Sequence, residues 1–172
     1  MPEALTGVDG AGGPVSGRWV RWLALSAAVI LLDQWTKAAM VGLLPAGGLM
    51  RLTDWFDLVL AYNHGAAFSV LADNVALARY LFSAVAVIAS VLLLGLIRSQ
   101  QGRWPVQLGG ALILGGALGN LFDRVRLGAV VDFIQWHVGN HYWPAFNVAD
   151  SAITVGAAAL VLHSLRSSGA SR

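Results

Sequence analysis

Cysteine is absent from this chain of 172 residues, and charged side chains are few. The absence of cysteine excludes disulfide bonds, zinc sites built from thiolates and a cysteine nucleophile. Charged residues make up 12% of the sequence, whereas soluble proteins have roughly a quarter. With 57% hydrophobic residues and a mean hydropathy of +0.67, the chain has too little polar surface to cover a soluble domain. The composition therefore predicts a membrane protein with several spans.

Four apolar runs are long enough to cross a bilayer, which takes about 20 residues. They cover about 19–40, 77–97, 106–122 and 148–165. The first run is predicted to be an uncleaved span, because Asp33 and Lys37 interrupt it and no A-x-A cleavage site follows.

The two ends of the chain differ from this apolar middle. Residues 1–17 are rich in glycine and proline and show no apolar periodicity, which predicts a disordered tail. We therefore expect one membrane domain over residues 18–166, followed by a short tail over residues 167–172.

Basic residues give the predicted orientation. The formal net charge is only +2, so no nucleic-acid partner is expected, and six of the 11 basic residues flank the runs on one side. They are Arg18, Arg21, Arg98, Arg103, Arg166 and Arg172. The positive-inside rule makes that side cytoplasmic. Both termini are then inside, and the long loops 41–76 and 123–147 are outside.

The outer loops carry their own patterns. Apolar and other residues alternate from Phe56 to Tyr62, as in a half-buried strand, and Asn63-His64-Gly65 has the composition of a turn. We expect a small extracytoplasmic β element there. The second loop is rich in aromatic residues, which is typical of a segment lying in the membrane interface, and Trp143-Pro144 should stop any helix.

Two carboxylates are predicted at the outer face. Asp132 follows the third span, and Asp150 stands at the head of the fourth. Two carboxyls brought together near a low-dielectric boundary can share a proton and activate water, as in an aspartic peptidase. The alternative is that Asp150 only caps the fourth helix and Asp132 is an exposed loop residue.

Other polar and small residues have both structural and functional interpretations. Gly115 and Gly119 form G-x-x-x-G, which permits close approach of another helix or of a substrate backbone. Asp33 and Lys37 share one helix face and could form an ion pair. Candidate site residues with equally ordinary turn, cap or interfacial roles are Asn63, Asn120, Asp123, Arg124 and Asn147.

Two other classes of function remain open at this point. His137 and His141 are four residues apart and, on a helix, could bind zinc together with Asp132 or Asp150. Gly139-Asn140 weakens such a helix, however, and no H-E-x-x-H is present. A small transporter could use Asp33, Lys37 and the pair Asp132 and Asp150 in a proton path, but polar residues are nearly absent from the middle of the spans other than the first. No G-x-S-x-G supports a serine nucleophile.

Five segments, in order, resemble the bacterial lipoprotein signal peptidase family, signal peptidase II. They are DQWTK (33–37), NHGAAFS (63–69), GGALGNLFDR (115–124), VDF (131–133) and PAFNVADS (144–151). The resemblance covers about residues 19–166.

The resemblance implies an aspartic endopeptidase of the bacterial inner membrane, with no metal and no cofactor. It implies four transmembrane helices, a small extracytoplasmic β element and an interfacial helix or loop. The substrates would be prolipoproteins, cut before a diacylglyceryl-modified cysteine; globomycin-type peptides would inhibit, and membrane lipids would surround the enzyme. Asp132 and Asp150 match the catalytic pair. Residues matching supporting positions are Asn63, Asn120, Asp123, Arg124, Asn147, Asp33 and Lys37.

Overall fold

A computed structural model describes residues 17–65 and 74–169, without the side chains of Arg18 and Ser168. A short 3-10 turn, Gly17–Trp19, leads into the first of four long helices. The helices are α1 (Val20–Leu43), α2 (Val75–Ser99), α3 (Trp104–Leu127) and α4 (Val148–Gly169). All four are long and apolar enough to span a membrane, which confirms the four predicted spans.

Local sequence explains where these helices begin and end. Asn74 precedes α2, and its side-chain oxygen accepts a hydrogen bond from the Leu77 backbone N–H at 2.9 Å, which satisfies a donor that a helix start leaves free. Pro105 lies in the first turn of α3, where its missing N–H costs nothing. Gly128 ends α3 with φ +78°, a conformation that glycine adopts without strain.

Helix α3 is the centre of the bundle. In the most apolar stretch of α3, 56% of the residues are buried, compared with 22% in α1 and 11% in each of α2 and α4. The outward faces of the other helices carry exposed apolar side chains, such as Leu31, Ile88 and Val155. Because water would disfavour such a surface, these faces are suited to lipid.

Glycines allow α3 to approach two neighbours closely. A Cβ at Gly115 would lie 2.8 Å from the Ser26 carbonyl oxygen of α1. A Cβ at Gly109 would lie 2.8 Å from the Gly156 carbonyl oxygen of α4. At the other glycine of the G-x-x-x-G pattern, Gly119, a Cβ would lie 2.8 Å from Asp33 Oδ2 of α1. Both glycines of the pattern therefore serve helix packing in this structure.

The predicted β element is part of a four-stranded antiparallel sheet in the order β1-β2-β3-β4. The strands are β1 (Leu49–Thr53), β2 (Phe56–Asn63), β3 (Val130–Val138) and β4 (His141–Tyr142). The alternation from Phe56 to Tyr62 thus correctly predicted β2. The second outer loop contains β3 and β4 rather than an irregular segment.

An irregularity in β2 lies beside Asp132. Leu58 pairs with Ile134 and Ala61 pairs with Asp132, so β2 has one residue more than β3 between these two pairs. Such bulges bend a strand and redirect its side chains. After β3, an isolated bridge between Ile134 and Phe146 brings the start of α4 alongside the strand.

Some predictions fall partly outside the described residues. The tail predicted over residues 1–17 is described only at Gly17, and residues 66–73 of the first outer loop are not described. In the described parts of the outer loops, strands and turns are present and an interfacial helix is not. At the other end, α4 continues to Gly169, three residues into the predicted C-terminal tail.

Candidate active site

Asp132 is the third residue of β3, and its side chain is buried, with 2% of the residue exposed. Its two carboxyl oxygens accept hydrogen bonds from Asn63 Nδ2 at 3.0 Å and from Asn147 Nδ2 at 2.8 Å. Burial disfavours the charged form and raises the pKa of Asp132 to about 6, with a further contribution from the nearby charge of Asp150. Asp132 can therefore hold a proton at pH values where an exposed carboxyl would be ionised.

Asp150 lies in the first turn of α4 and is partly buried. Asn147 and Asp150 form a reciprocal cap. The Asn147 backbone N–H donates to Asp150 Oδ2 at 3.2 Å, and the Asp150 N–H donates to Asn147 Oδ1 at 2.9 Å. This is the arrangement of a capping box, so the predicted capping role of Asp150 is present. Asn120 Nδ2 also donates to Asp150 Oδ1 at 2.7 Å.

Asn147 joins the two aspartates. It is fully buried, and it binds Asp132 through its side-chain amide and Asp150 through its backbone N–H. The same amide nitrogen lies 3.1 Å from Asn120 Oδ1. The structure thus brings together two carboxyls that are 18 positions apart in the sequence. Capping and pairing are not alternatives here, because one hydrogen-bond network performs both.

Lys37 holds three polar residues that lie next to this pair. Its ammonium lies 2.8 Å from both Asp33 Oδ2 and Asp123 Oδ2, and it donates to Asn120 Oδ1 at 3.0 Å. All three N–H donors of the lysine are therefore used. Since Lys37 is only 3% exposed, an incomplete set of partners would leave a buried charge uncompensated.

The two carboxylates bound to Lys37 also hold backbone groups in place. Asp33 Oδ1 accepts the Ala149 N–H of α4 at 2.9 Å, and Asp123 Oδ2 accepts the Val131 N–H of β3 at 3.1 Å. These amides precede Asp150 and Asp132 by one residue each. The network therefore fixes the backbone next to Asp132 and Asp150, the two carboxyls that form the dyad.

Gln34 also belongs to this network, although its residue type and spacing alone do not predict a place in the site. Its amide nitrogen lies 2.9 Å from Asp123 Oδ1 and 3.2 Å from Asp33 Oδ2. The only available signal was its position inside DQWTK, next to Asp33.

Arg124 faces the dyad from α3. Its guanidinium carbon lies 5.3 Å from the centre of the Phe82 ring of α2, within the range of a cation–π contact. The positive charge is close enough to act on Asp150 and Asp132. Arg124 also donates a long hydrogen bond, 3.5 Å, to the Asn120 carbonyl oxygen. Arg124 therefore presents a cation beside the carboxyl pair.

Close helix packing sets the position of Asp150 against α3. A Cβ on Gly116 would overlap the carbonyl oxygen of Ala149, the residue that precedes Asp150. Only glycine permits this approach, which lets Asn120, one turn further along α3, reach the carboxyl of Asp150.

The two histidines considered as zinc ligands lie on a β-hairpin, not on a helix. His137 pairs with Tyr142, and Val138 pairs with His141, so successive side chains point to opposite faces of the sheet. The His137 imidazole is buried, with Nε2 at 3.4 Å from Asp57 Oδ2, and stacks on Tyr142. Within residues 17–65 and 74–169, no cluster of three or more His, Cys, Asp or Glu side chains could hold a metal ion.

Comparisons with known proteins agree with the fold and the motifs. The family model of "Signal peptidase (SPase) II" matches residues 25–166. The lipoprotein signal peptidase of Burkholderia ambifaria is 46% identical over 153 residues, covering 89% of this chain and 92% of the relative. That of a Janthinobacterium species is 42% identical over 154 residues, covering 90% and 93%.

Solved structures of bacterial membrane enzymes share the architecture. One has a TM-score of 0.77 at 28% identity and covers 85% of this chain and 93% of its own. Another has a TM-score of 0.78 at 26% identity, with coverages of 89% and 92%. The chain therefore belongs to the signal peptidase II family and is an aspartic endopeptidase of the membrane.

Proposed function

We propose that this enzyme removes signal peptides from prolipoproteins, cutting before the diacylglyceryl-modified cysteine with water activated by Asp132 and Asp150. One observation supports this most directly: both carboxyls bind the same buried residue, Asn147. They do so where a small sheet meets one end of four apolar helices. The names of the relatives indicate lipoprotein signal peptides as the substrate class.

The two aspartates have different surroundings, which suits them to different roles. We assign the shared proton to Asp132, because it is the more deeply buried of the two carboxyls and burial raises its pKa to about 6. Asp150 lies in the first turn of α4, where the helix dipole stabilises a negative charge. In this scheme Asp150 accepts a proton from the attacking water, while Asp132 donates its proton to the oxygen of the scissile carbonyl.

The surrounding polar residues orient the pair and its transition state. Asn63 and Asn147 direct the carboxyl of Asp132. Asn120 directs that of Asp150. The guanidinium of Arg124, held over Phe82, is a donor for substrate carbonyl oxygens and for the negative charge that develops during attack.

The distribution of basic residues supports one orientation of the bundle in the membrane. Arg21, Arg98, Arg103 and Arg166 lie at the end of the bundle opposite the dyad, and positive charge marks the cytoplasmic side. The dyad then lies at the outer face of the bacterial cytoplasmic membrane. A substrate anchored in that leaflet by lipid reaches the dyad by lateral diffusion.

The activity is tested with a purified prolipoprotein in two forms that differ only in the diacylglyceryl group on cysteine. We expect the modified form to be cut immediately before that cysteine and the unmodified form to remain intact, as followed by mass spectrometry. Cleavage should stop with a globomycin-type cyclic peptide. Equal cleavage of both forms would contradict the proposed substrate class.

A further inference from the structure

An apolar pocket adjoins the dyad on the side of α4. Its volume is about 480 Å³. Aromatic side chains of the second outer loop form one wall and the first turns of α4 form the other. The side chains that define it are Trp136, Trp143, Phe146, Asp150, Thr154 and Val155.

The aromatic wall is fixed in place. The Trp136 and Phe146 rings pack edge to face with centroids 5.4 Å apart, and the Trp143 N–H donates to the Trp136 carbonyl at 2.8 Å. On β3, Asp132 and Trp136 are an even number of residues apart, so they lie on the same face of the strand. The pocket and the dyad therefore share one side of the sheet.

The pocket extends from the dyad towards the hydrocarbon region of the membrane. Val155 is five residues beyond Asp150, a distance of about 7.5 Å along the helix axis. It is 59% exposed, on the face of α4 that is suited to lipid. The pocket is thus continuous with the lipid-facing surface of the bundle at one end and reaches a catalytic carboxyl at the other.

The pocket offers almost no hydrogen bonds to a ligand. The Ser151 hydroxyl donates to the Asn147 carbonyl and the Thr154 hydroxyl to the Asp150 carbonyl, both at 2.9 Å. A peptide must be extended where it is cut, and its backbone groups would lack partners in this pocket. A hydrocarbon chain needs none. Donors suited to peptide are instead found at Asn63 and Arg124.

We propose that this pocket binds an acyl chain of the diacylglyceryl group on the substrate cysteine. The inference rests on the proposed function, because the same group marks the bond to be cut. A chain held here places the modified cysteine on the α4 side of the dyad, and the signal peptide leaves on the side of Arg124. Recognition of the lipid is then part of positioning the scissile bond.

The test fills the pocket and shortens the chain. Val155→Trp places a large ring in the pocket, and Val161→Trp is its control. Val161 is also a valine of α4 with 57% exposure, but it lies further from the dyad and does not line the pocket. We expect Val155→Trp to lower kcat/KM for a dipalmitoylglyceryl substrate by about tenfold or more, with Val161→Trp unchanged. A diacetylglyceryl form of the same prolipoprotein should be cut equally by all three enzymes.

Equal losses on the two substrates, or no loss on either, would overturn the pocket assignment while leaving the activity established. Failure of the wild type to cut the dipalmitoylglyceryl substrate would instead refute the proposed function. Relief of the block by a smaller signal-peptide residue next to the cysteine would assign the pocket to peptide and refute the inference.

A second measurement does not depend on turnover. A photoreactive group at the end of one acyl chain, on substrate bound to the Asp132→Asn enzyme, should label the segment from Val148 to Val155 or the aromatic loop. Labelling confined to α2 would refute the assignment. The same photoreactive group placed in the signal peptide should instead label α2 and leave the segment from Val148 to Val155 unlabelled.

Discussion

Replacing Asp132 by asparagine should abolish activity and, above pH 6, make the protein more stable. The side chain is 2% exposed, and its pKa is raised from the ordinary 3.8 to about 6. A carboxyl with a raised pKa binds its proton more tightly in the folded than in the unfolded protein. Its ionisation therefore opposes folding as pH rises from 3.8 to about 6, and the full cost, about 3 kcal/mol, applies above that range.

Asparagine removes this cost but loses one acceptor. The two carboxyl oxygens of Asp132 accept bonds from Asn63 and Asn147, whereas an amide oxygen can satisfy only one of these donors well. The lost hydrogen bond costs about 1 kcal/mol. A net gain of about 2 kcal/mol is thus expected at pH 8. Below pH 4 the gain should disappear, because Asp132 is then neutral in both states.

Thermal unfolding in detergent, followed by tryptophan fluorescence at pH 4 and pH 8, measures this difference. Asp57→Asn is the matched control, since Asp57 is also fully buried but has Arg51 Nε at 3.3 Å. That variant should be less stable than wild type at pH 8, because it removes an ion pair. A lower unfolding temperature for Asp132→Asn than for wild type at pH 8 would refute the argument that burial of the ionised Asp132 carboxylate destabilises the fold.

Further predictions concern packing, the ion network, pH and the histidines. Gly116→Ala should cost most of the activity, because its Cβ would overlap the Ala149 carbonyl; Gly42→Ala, with open space around it, should behave as wild type in the same cleavage assay. Lys37→Met should reduce folded yield, since removing one partner of a buried ion pair costs about 3–5 kcal/mol; a normal yield on size-exclusion chromatography would contradict the network. The value of kcat/KM should fall at pH values above an apparent pKa near or above 6, because the dyad then loses its shared proton. Asn63→Ala removes a hydrogen bond to the ionised form of Asp132, so the fall in kcat/KM should move to higher pH in that variant. His137→Phe should retain activity, and sensitivity of the wild type to a chelator would revive the zinc alternative.

Patterns that depend on neighbouring residues predicted much of the fold. Long apolar runs gave the four helices, because a span is defined by its own composition. Alternation gave β2, and the four-residue spacing of Asp33 and Lys37 gave an ion pair that the structure shows at 2.8 Å. Each of these features needs only local sequence.

Features that depend on contacts between distant segments were harder to predict from the sequence. Strand β3 begins with four buried residues, Val130 to Phe133. Because both faces of this part of the strand are covered, its sequence lacks the alternation that would have predicted a strand. Gly116 differs from Gly115 only in its direction around α3, which decides whether α4 or α1 is the neighbour. The side chain of Asn147, a cap residue by local pattern, proved to bind Asp132, which is 15 positions away.

The measurement that tests the central claim most directly compares cleavage of a diacylglyceryl-modified prolipoprotein by wild type, Asp132→Asn and Asp150→Asn. Asparagine keeps the size of each side chain and removes its titratable proton. We expect cleavage by wild type and none by either variant, with both variants folded by size-exclusion chromatography and thermal unfolding. Cleavage by a folded variant at the wild-type rate would show that its aspartate is not part of the catalyst.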